Sequence, residues 1–295
     1  MSITTKGILL AIASGMLWGL GSNCAQFLLQ FRSVDASWLV TARLISAGVI
    51  ALVLSQCLYG TSIWNVYKSR TGMRDLMIFA LLGLAVCQYT FFLTIRLSNA
   101  GTATVLQYTG PAMIIIYIAL RKHRIPARSD VLCIFLALMG TILLATHGRI
   151  GTLALSSTTL EWGLISAAML AVYTVQPVEL LRQYGTLPIL GHAMLLGGLA
   201  MAIVFPLCPI TGTWDMTALL ALSFIVLGGT IGAYFCYMIG VRCIGPARGS
   251  ICSSVEPVAA AVCAAAVLGT TFVLMDIIGF ICIISTVFLI AKASR

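Results

Sequence analysis

Apolar residues run through this sequence in blocks that are too long for strands and too continuous for one-sided helices of a soluble core. Ten runs stand out, at Gly7–Leu29, Ala36–Leu58, Met73–Ile95, Ala100–Leu120, Val131–Thr146, Leu160–Leu181, Leu187–Pro209, Met216–Val241, Gly245–Leu268 and Phe272–Ala291. Each is close to the ~20 residues a helix needs to cross hydrocarbon. None alternates like a barrel strand, so helices are predicted, because they satisfy their own backbone in lipid.

The pattern repeats. Set without gaps against Leu82 to Ala112, the segment Gly228 to Val258 pairs Gly83 with Gly229, Arg96 with Arg242, Thr104 with Ser250 and Pro111 with Pro257. Landmarks at one constant offset indicate a duplicated unit. The polar stretch from His147 to Thr159 divides the chain into residues 1–147 and 160–292, each with five runs. An odd number of crossings makes the second copy enter from the opposite side. The expected fold is therefore an all-α integral membrane protein of ten transmembrane helices, built as two inverted five-helix repeats.

Composition strengthens this reading: 60% of residues are hydrophobic and 8% charged, against roughly 25% charged in a soluble domain. The net charge of +9 raises nucleic acid as a partner, but its distribution points to topology instead. With the N-terminus inside, inner loops and ends hold Lys6, Lys68, Arg70, Arg74, Arg121, Lys122, Arg124, Arg128, Arg182, Arg242, Arg248, Lys292 and Arg295, and outer loops only Arg32, Arg96 and Arg149. This positive-inside bias puts Met1 and Arg295 in the cytoplasm. The first run is longer than the core of a cleavable signal and contains Trp18, Asn23 and Gln26, so it reads as a span.

Candidate site residues are the polar ones that share a helical face inside spans, where they need a cavity or a partner helix. The first span aligns Gly15, Gly19, Asn23, Gln26 and Gln30; Gly15 and Gly19 suit close packing within the bundle, or alternatively a homodimer seam. Trp18 lies too deep for an interface anchor. The third span offers Gln88 and Tyr89, the fourth Thr104, Gln107, Tyr108 and Pro111, the sixth Met169, Tyr173 and Gln176, the eighth Thr230, Tyr234 and Tyr237, and the ninth Ser250, Ser253, Ser254 and Pro257. Trp18, Asn23, Gln26, Gln88, Gln107, Tyr108, Tyr173, Gln176, Tyr234, Tyr237, Ser253 and Glu256 are the expected substrate-binding set, with Pro111 and Pro257 as helix kinks. Two charges leave alternatives open. Arg43, about 12 Å of helical rise from the outer end of its span, either anchors structure or joins the substrate pathway. On a straight helix Glu256 points about 110° from its neighbours' polar face, at the cavity edge or against another helix, unless Pro257 swings it inward.

Enzymatic readings find little support. His123, His147 and His192 are scattered near span ends, so no metal cluster or serine–histidine relay is suggested. No glycine loop for ATP precedes a Lys-Ser/Thr helix. The ten cysteines fall almost entirely within spans or at their ends, without a Cys-x-x-Cys pair, and read as packing residues. No cofactor is expected.

Ten spans in two halves, Leu17-Trp18-Gly19, Thr41-Ala42-Arg43-Leu44, the run Gln107 to Pro111, and Glu256-Pro257-Val258-Ala259 together resemble the EamA family of the drug/metabolite transporter superfamily, over essentially the whole chain. The resemblance implies a multi-pass carrier of the bacterial inner membrane with cytoplasmic termini, working by alternating access around a central cavity. Its members move amino acids, metabolites or toxic compounds, often outward. One departure limits the transfer: where the family often has Leu-Gly-Glu, Leu268-Gly269 is followed by Thr270, and the first-half position is Arg124. The expected function is thus a secondary transporter, with a small molecule and the bilayer as partners and no nucleic acid. A coupling proton and a homodimer stay open, and the alternatives are a membrane receptor or assembly subunit without transport, or a lipid-handling enzyme.

Overall fold

The structure is a computed structural model that describes residues 2–123, 125–149, 151, 156–205, 210, 212–268 and 273–293. Met1, Arg124, Cys208, Pro209, Gly269, Thr270, Phe272 and Arg295, on which parts of the sequence reading rest, lie outside the described residues. Among the described residues every regular element is a helix. Eight are long and apolar enough to cross a membrane: α1 Ile3–Phe31, α2 Ala36–Tyr59, α3 Arg70–Leu97, α4 Ala100–Arg121, α5 Arg128–Thr146, α6 Ser157–Tyr184, α7 Thr186–Val204 and α8 Met216–Ile244. Two further helices follow, α9 over residues 246–268 and α10 Leu274–Ala293.

The interruptions follow the sequence repeat. A π segment, Phe79–Val86, interrupts α3, and another, Leu227–Gly232, interrupts α8 at overlapping repeat positions. The break in α4 at Tyr108–Thr109 corresponds to the 3-10 turn of α9. Pro111 and Pro257 each stand second in the half-helix that follows the break, where a missing N–H costs little. At the start of α4 the Asn99 side chain caps the Thr102 amide at 2.8 Å. Its counterpart Gly245 turns the chain directly from α8 into α9 with φ +85°, a conformation that glycine adopts without strain.

Packing has the same order. The main neighbours of α1 are α8 and α9, while those of α6 are α3 and α4; α2 packs along α7, and α5 along α10. Exchanging the halves leaves this arrangement unchanged. Gly15 and Gly19 set the closest approach: a Cβ on Gly15 would collide with the Ser253 carbonyl, and one on Gly19 with the Glu256 carbonyl and, at 2.9 Å, with the Ala259 side chain. This glycine pair is therefore used within the bundle, against the broken part of α9. Large side chains such as Leu58, Phe135, Leu220 and Phe288 are exposed around the outside, as expected of a lipid-facing surface.

The face holding Asn99 and the start of α2 is stitched by ion pairs. Arg32 meets Asp215 at 2.6 Å and Arg96 meets Asp35 at 2.7 Å. Asp35 also caps α2, accepting from the Ser37 and Trp38 amides at 2.8 and 3.3 Å and from the Ser37 hydroxyl. Partial burial pushes its carboxyl up, but these bonds and Arg96 outweigh burial and hold it below the ordinary carboxylate value. A depressed folded pKa contributes stability that is present above the unfolded value, about 3.9, and is lost as pH falls through the folded one. Asp35→Ala should therefore cost about 1 kcal/mol near neutrality and flatten the acid limb of thermal unfolding measured in detergent.

Candidate functional site

The halves meet around a narrow cavity of about 50 Å³. A water needs roughly 10–15 Å³ measured this way, so the space admits a few waters and no metabolite until the helices move. Its walls come from α1, α2, α3, α4, α6, α8 and α9.

One wall is aromatic. Trp18 packs edge-on to Tyr234 at 5.2 Å between ring centroids and lies 5.0 Å from Tyr237, and Tyr173 is 5.7 and 5.9 Å from the same two tyrosines. Tyr237 shares a hydrogen bond with Thr174 at 3.0 Å. Helix spacing puts Tyr234 and Tyr237 on one side of α8.

A second wall carries a buried cation. Arg43, 4% exposed, donates from Nη2 to Gln88 Oε1 at 2.7 Å, and Gln88 donates in turn to the Tyr234 hydroxyl. The guanidinium lies 4.7 Å from the centre of the Phe92 ring, a cation–π contact. Its Nε has no hydrogen-bond partner, an expensive state for a buried charged group.

The third wall carries the carboxylate. Glu256, 7% exposed, has its Oε2 at 3.2 Å from the Tyr108 hydroxyl, which also stands 3.1 Å from the Ser253 carbonyl. Pro257 removes that carbonyl's α-helical donor, and the Glu256 N–H, one residue earlier, donates to it instead. Ser253 Oγ donates to the Ser250 carbonyl at 2.9 Å, and Gln107 donates to Ser166 at 2.8 Å across α4 and α6. Arg43 and Glu256 line the same cavity and form no ion pair with each other among the described residues.

Of the residues expected from sequence, Trp18, Gln88, Gln107, Tyr108, Tyr173, Tyr234, Tyr237, Ser253, Glu256 and Pro111 line this cavity. Glu256 turns inward because the 3-10 turn before it winds each residue further than an α-helix does, adding about 60° over three residues. Asn23, Gln26 and Pro257 lie elsewhere, on a separate pocket of about 270 Å³ near the ends of α5 and α10, where His147 meets Asp276 at 2.9 Å. There Asn23 donates to the Ala260 carbonyl at 2.9 Å, tying α1 to α9, and Gln26 bonds Gln30 at 3.1 Å. Gln176 stays at the opposite end of α6, donating to the Asp75 carbonyl at 3.0 Å. Sequence reasoning left Arg43 undecided and passed over Ser22, Phe91 and Phe92, which also line the cavity. Arg43 had a signal, a lone charge in mid-span; the phenylalanines could not be told from lipid-facing ones.

Comparison with known proteins decides the class. The model of the EamA-like transporter family matches residues 5–146 and again 158–292, once in each half. The chain belongs to the EamA-like transporter family. A relative from Salmonella typhimurium, described as an uncharacterized inner membrane transporter YicL, is 38% identical over 298 residues, covering 100% of this chain and 98% of that protein. A solved crystal structure superposes with a TM-score of 0.78 at 16% identity, covering 99% of this chain and 98% of the other, and shares the fold. This EamA-like protein is therefore a multi-pass membrane transporter, a class that does not require catalysis.

Proposed function

We propose that this chain is a secondary transporter of the bacterial inner membrane that exports a small zwitterionic metabolite, such as an amino acid, by alternating access. The observation that carries the reading is a cavity between the halves with Arg43 and Glu256 unpaired to one another. A carboxylate on the substrate would satisfy Arg43, and an ammonium group would meet Glu256 and the rings of Trp18 and Tyr237. Either charge alone would leave the other buried without a counter-ion.

The exchange symmetry of the packing supports ten crossings arranged as two inverted repeats, with α9 and α10 completing the second. Broken helices at related positions in α4 and α9 fit a midplane site on that symmetry axis. The positive-inside bias favours cytoplasmic termini.

Tyr108 offers a means of coupling to protons. Its single O–H can go to the Ser253 carbonyl or to ionised Glu256, but not fully to both. With Glu256 protonated, Tyr108 is free to give the Ser253 carbonyl a second donor; with Glu256 ionised, that carbonyl keeps only the Glu256 N–H. Proton binding thereby biases the geometry at the break in α9. The test is flux into liposomes holding the purified protein, using a labelled panel of amino acids, amines and carboxylates with and without a proton gradient. Zwitterions should move fastest and respond to the gradient. Saturable binding without flux would favour a receptor, and a chemically altered product an enzyme.

A further inference from the structure

On the face that carries the N-terminus, a pocket of about 490 Å³ opens where α6 ends, α7 begins and α8 ends. It shares no lining residue with the central cavity. Its polarity is graded. Phe235, Ile239 and Arg242 follow one another at i, i+4 and i+7 on one face of α8, so an apolar wall about 10 Å long leads out to a guanidinium. Arg242 donates from Nη1 to the Thr186 hydroxyl at 2.8 Å, which orients the guanidinium and leaves its other donors directed elsewhere. Thr186 is the first residue of α7, whose N-terminus has no side-chain cap and places the positive end of the helix dipole beside the pocket, although Pro188, third in the helix, contributes no N–H. Arg182 also lines the rim, where Glu179 pairs with its Nε and Nη2 at 3.1 and 2.8 Å and offsets its charge, so Arg242 is the main cation of the site.

We propose that this pocket is a binding site for an anionic phospholipid of the adjacent leaflet, its phosphate on Arg242 and the α7 N-terminus and one acyl chain along Ile239 and Phe235. A soluble phosphate would use the cationic end and leave the apolar wall idle, whereas a lipid uses both. Tyr59, 54% exposed and also lining the pocket, gives the headgroup region a further hydroxyl.

The test is native mass spectrometry of the detergent-purified full chain with phosphatidylglycerol or chain-matched phosphatidylcholine, and with soluble glycerol phosphate as competitor. Phosphatidylglycerol should be retained preferentially, and Arg242→Gln should weaken that retention about fivefold or more, the effect expected of one interfacial basic residue. Arg121→Gln, in the other basic cluster, should leave it unchanged. Should Arg242→Gln not fold, Arg182→Gln carries the test and should show a smaller loss in the same direction. Equal retention of both lipids, equal loss in Arg121→Gln, or full displacement by glycerol phosphate would each overturn the proposal.

Discussion

Glu256→Gln is expected to leave the protein folded and to lower proton-driven flux at least tenfold while abolishing its pH dependence. The amide keeps the shape of the side chain and can donate to or accept from the Tyr108 hydroxyl, now 3.2 Å from Oε2. It can neither take up nor release a proton, so the competition at Tyr108 between the carboxylate and the Ser253 carbonyl ceases. Tyr108→Phe separates the parts of this account. Removing the hydroxyl leaves the Ser253 carbonyl with the Glu256 N–H as its donor, so the loss is that of one buried hydrogen bond, about 1 kcal/mol. That variant should melt lower, and its flux per folded molecule should lose pH sensitivity even though Glu256 remains. A stable Glu256→Gln protein with wild-type flux and pH profile would remove Glu256 from the mechanism and leave it a hydrogen-bonding role between α4 and α9.

The second large effect is expected at Arg43. Its Nε has no partner and, among the described residues, its hydrogen bond goes to neutral Gln88, so the folded protein holds a guanidinium that is poorly compensated. An arrangement of that kind persists where a ligand completes it. Arg43→Met should therefore melt at the same temperature or higher, because a buried charge gives way to an apolar side chain. Transport of a carboxylate-bearing substrate should fall about tenfold to hundredfold, the value of a hydrogen bond to a charged group. Arg43→Lys should recover part of the rate, since the charge returns without the planar fork. A destabilised Arg43→Met protein with unaltered flux per folded molecule would show that Arg43 is an anchor for α2 and α3.

Much of this arrangement was legible in the sequence because membrane helices declare themselves by length and because duplication repeats its landmarks. Gly83 with Gly229 and Pro111 with Pro257 fall beside matching irregularities in the helices, although no propensity marks a π segment or a 3-10 turn. The tyrosines were legible for a related reason: Tyr173, Tyr234 and Tyr237 are polar-tipped residues within apolar runs, and all three reach the cavity. What the sequence could not give was rotation. A helical wheel assumes 100° per residue throughout, and the turn at Ser253–Val255 breaks that assumption just before Glu256. The same limit affects the first span, where Asn23 and Gln26 share a face with Gly19 but run on past the cavity towards the separate pocket beside His147. Gln176 lies below it at the other end. A face identifies a direction, and depth along the helix decides which cavity it meets.

Ser253 offers the most direct measurement, because it lines the cavity on the broken stretch of α9 and is 6% exposed. Ser253→Cys, in a background whose ten native cysteines are replaced, would be reconstituted in liposomes and treated with a membrane-impermeant thiol reagent from one side at a time. Alternating access requires labelling from both sides, with each orientation suppressed when a substrate gradient or proton gradient drives the protein to the other. Labelling from one side under every condition, or from neither, would contradict a central cavity that opens in turn to the two faces of the membrane.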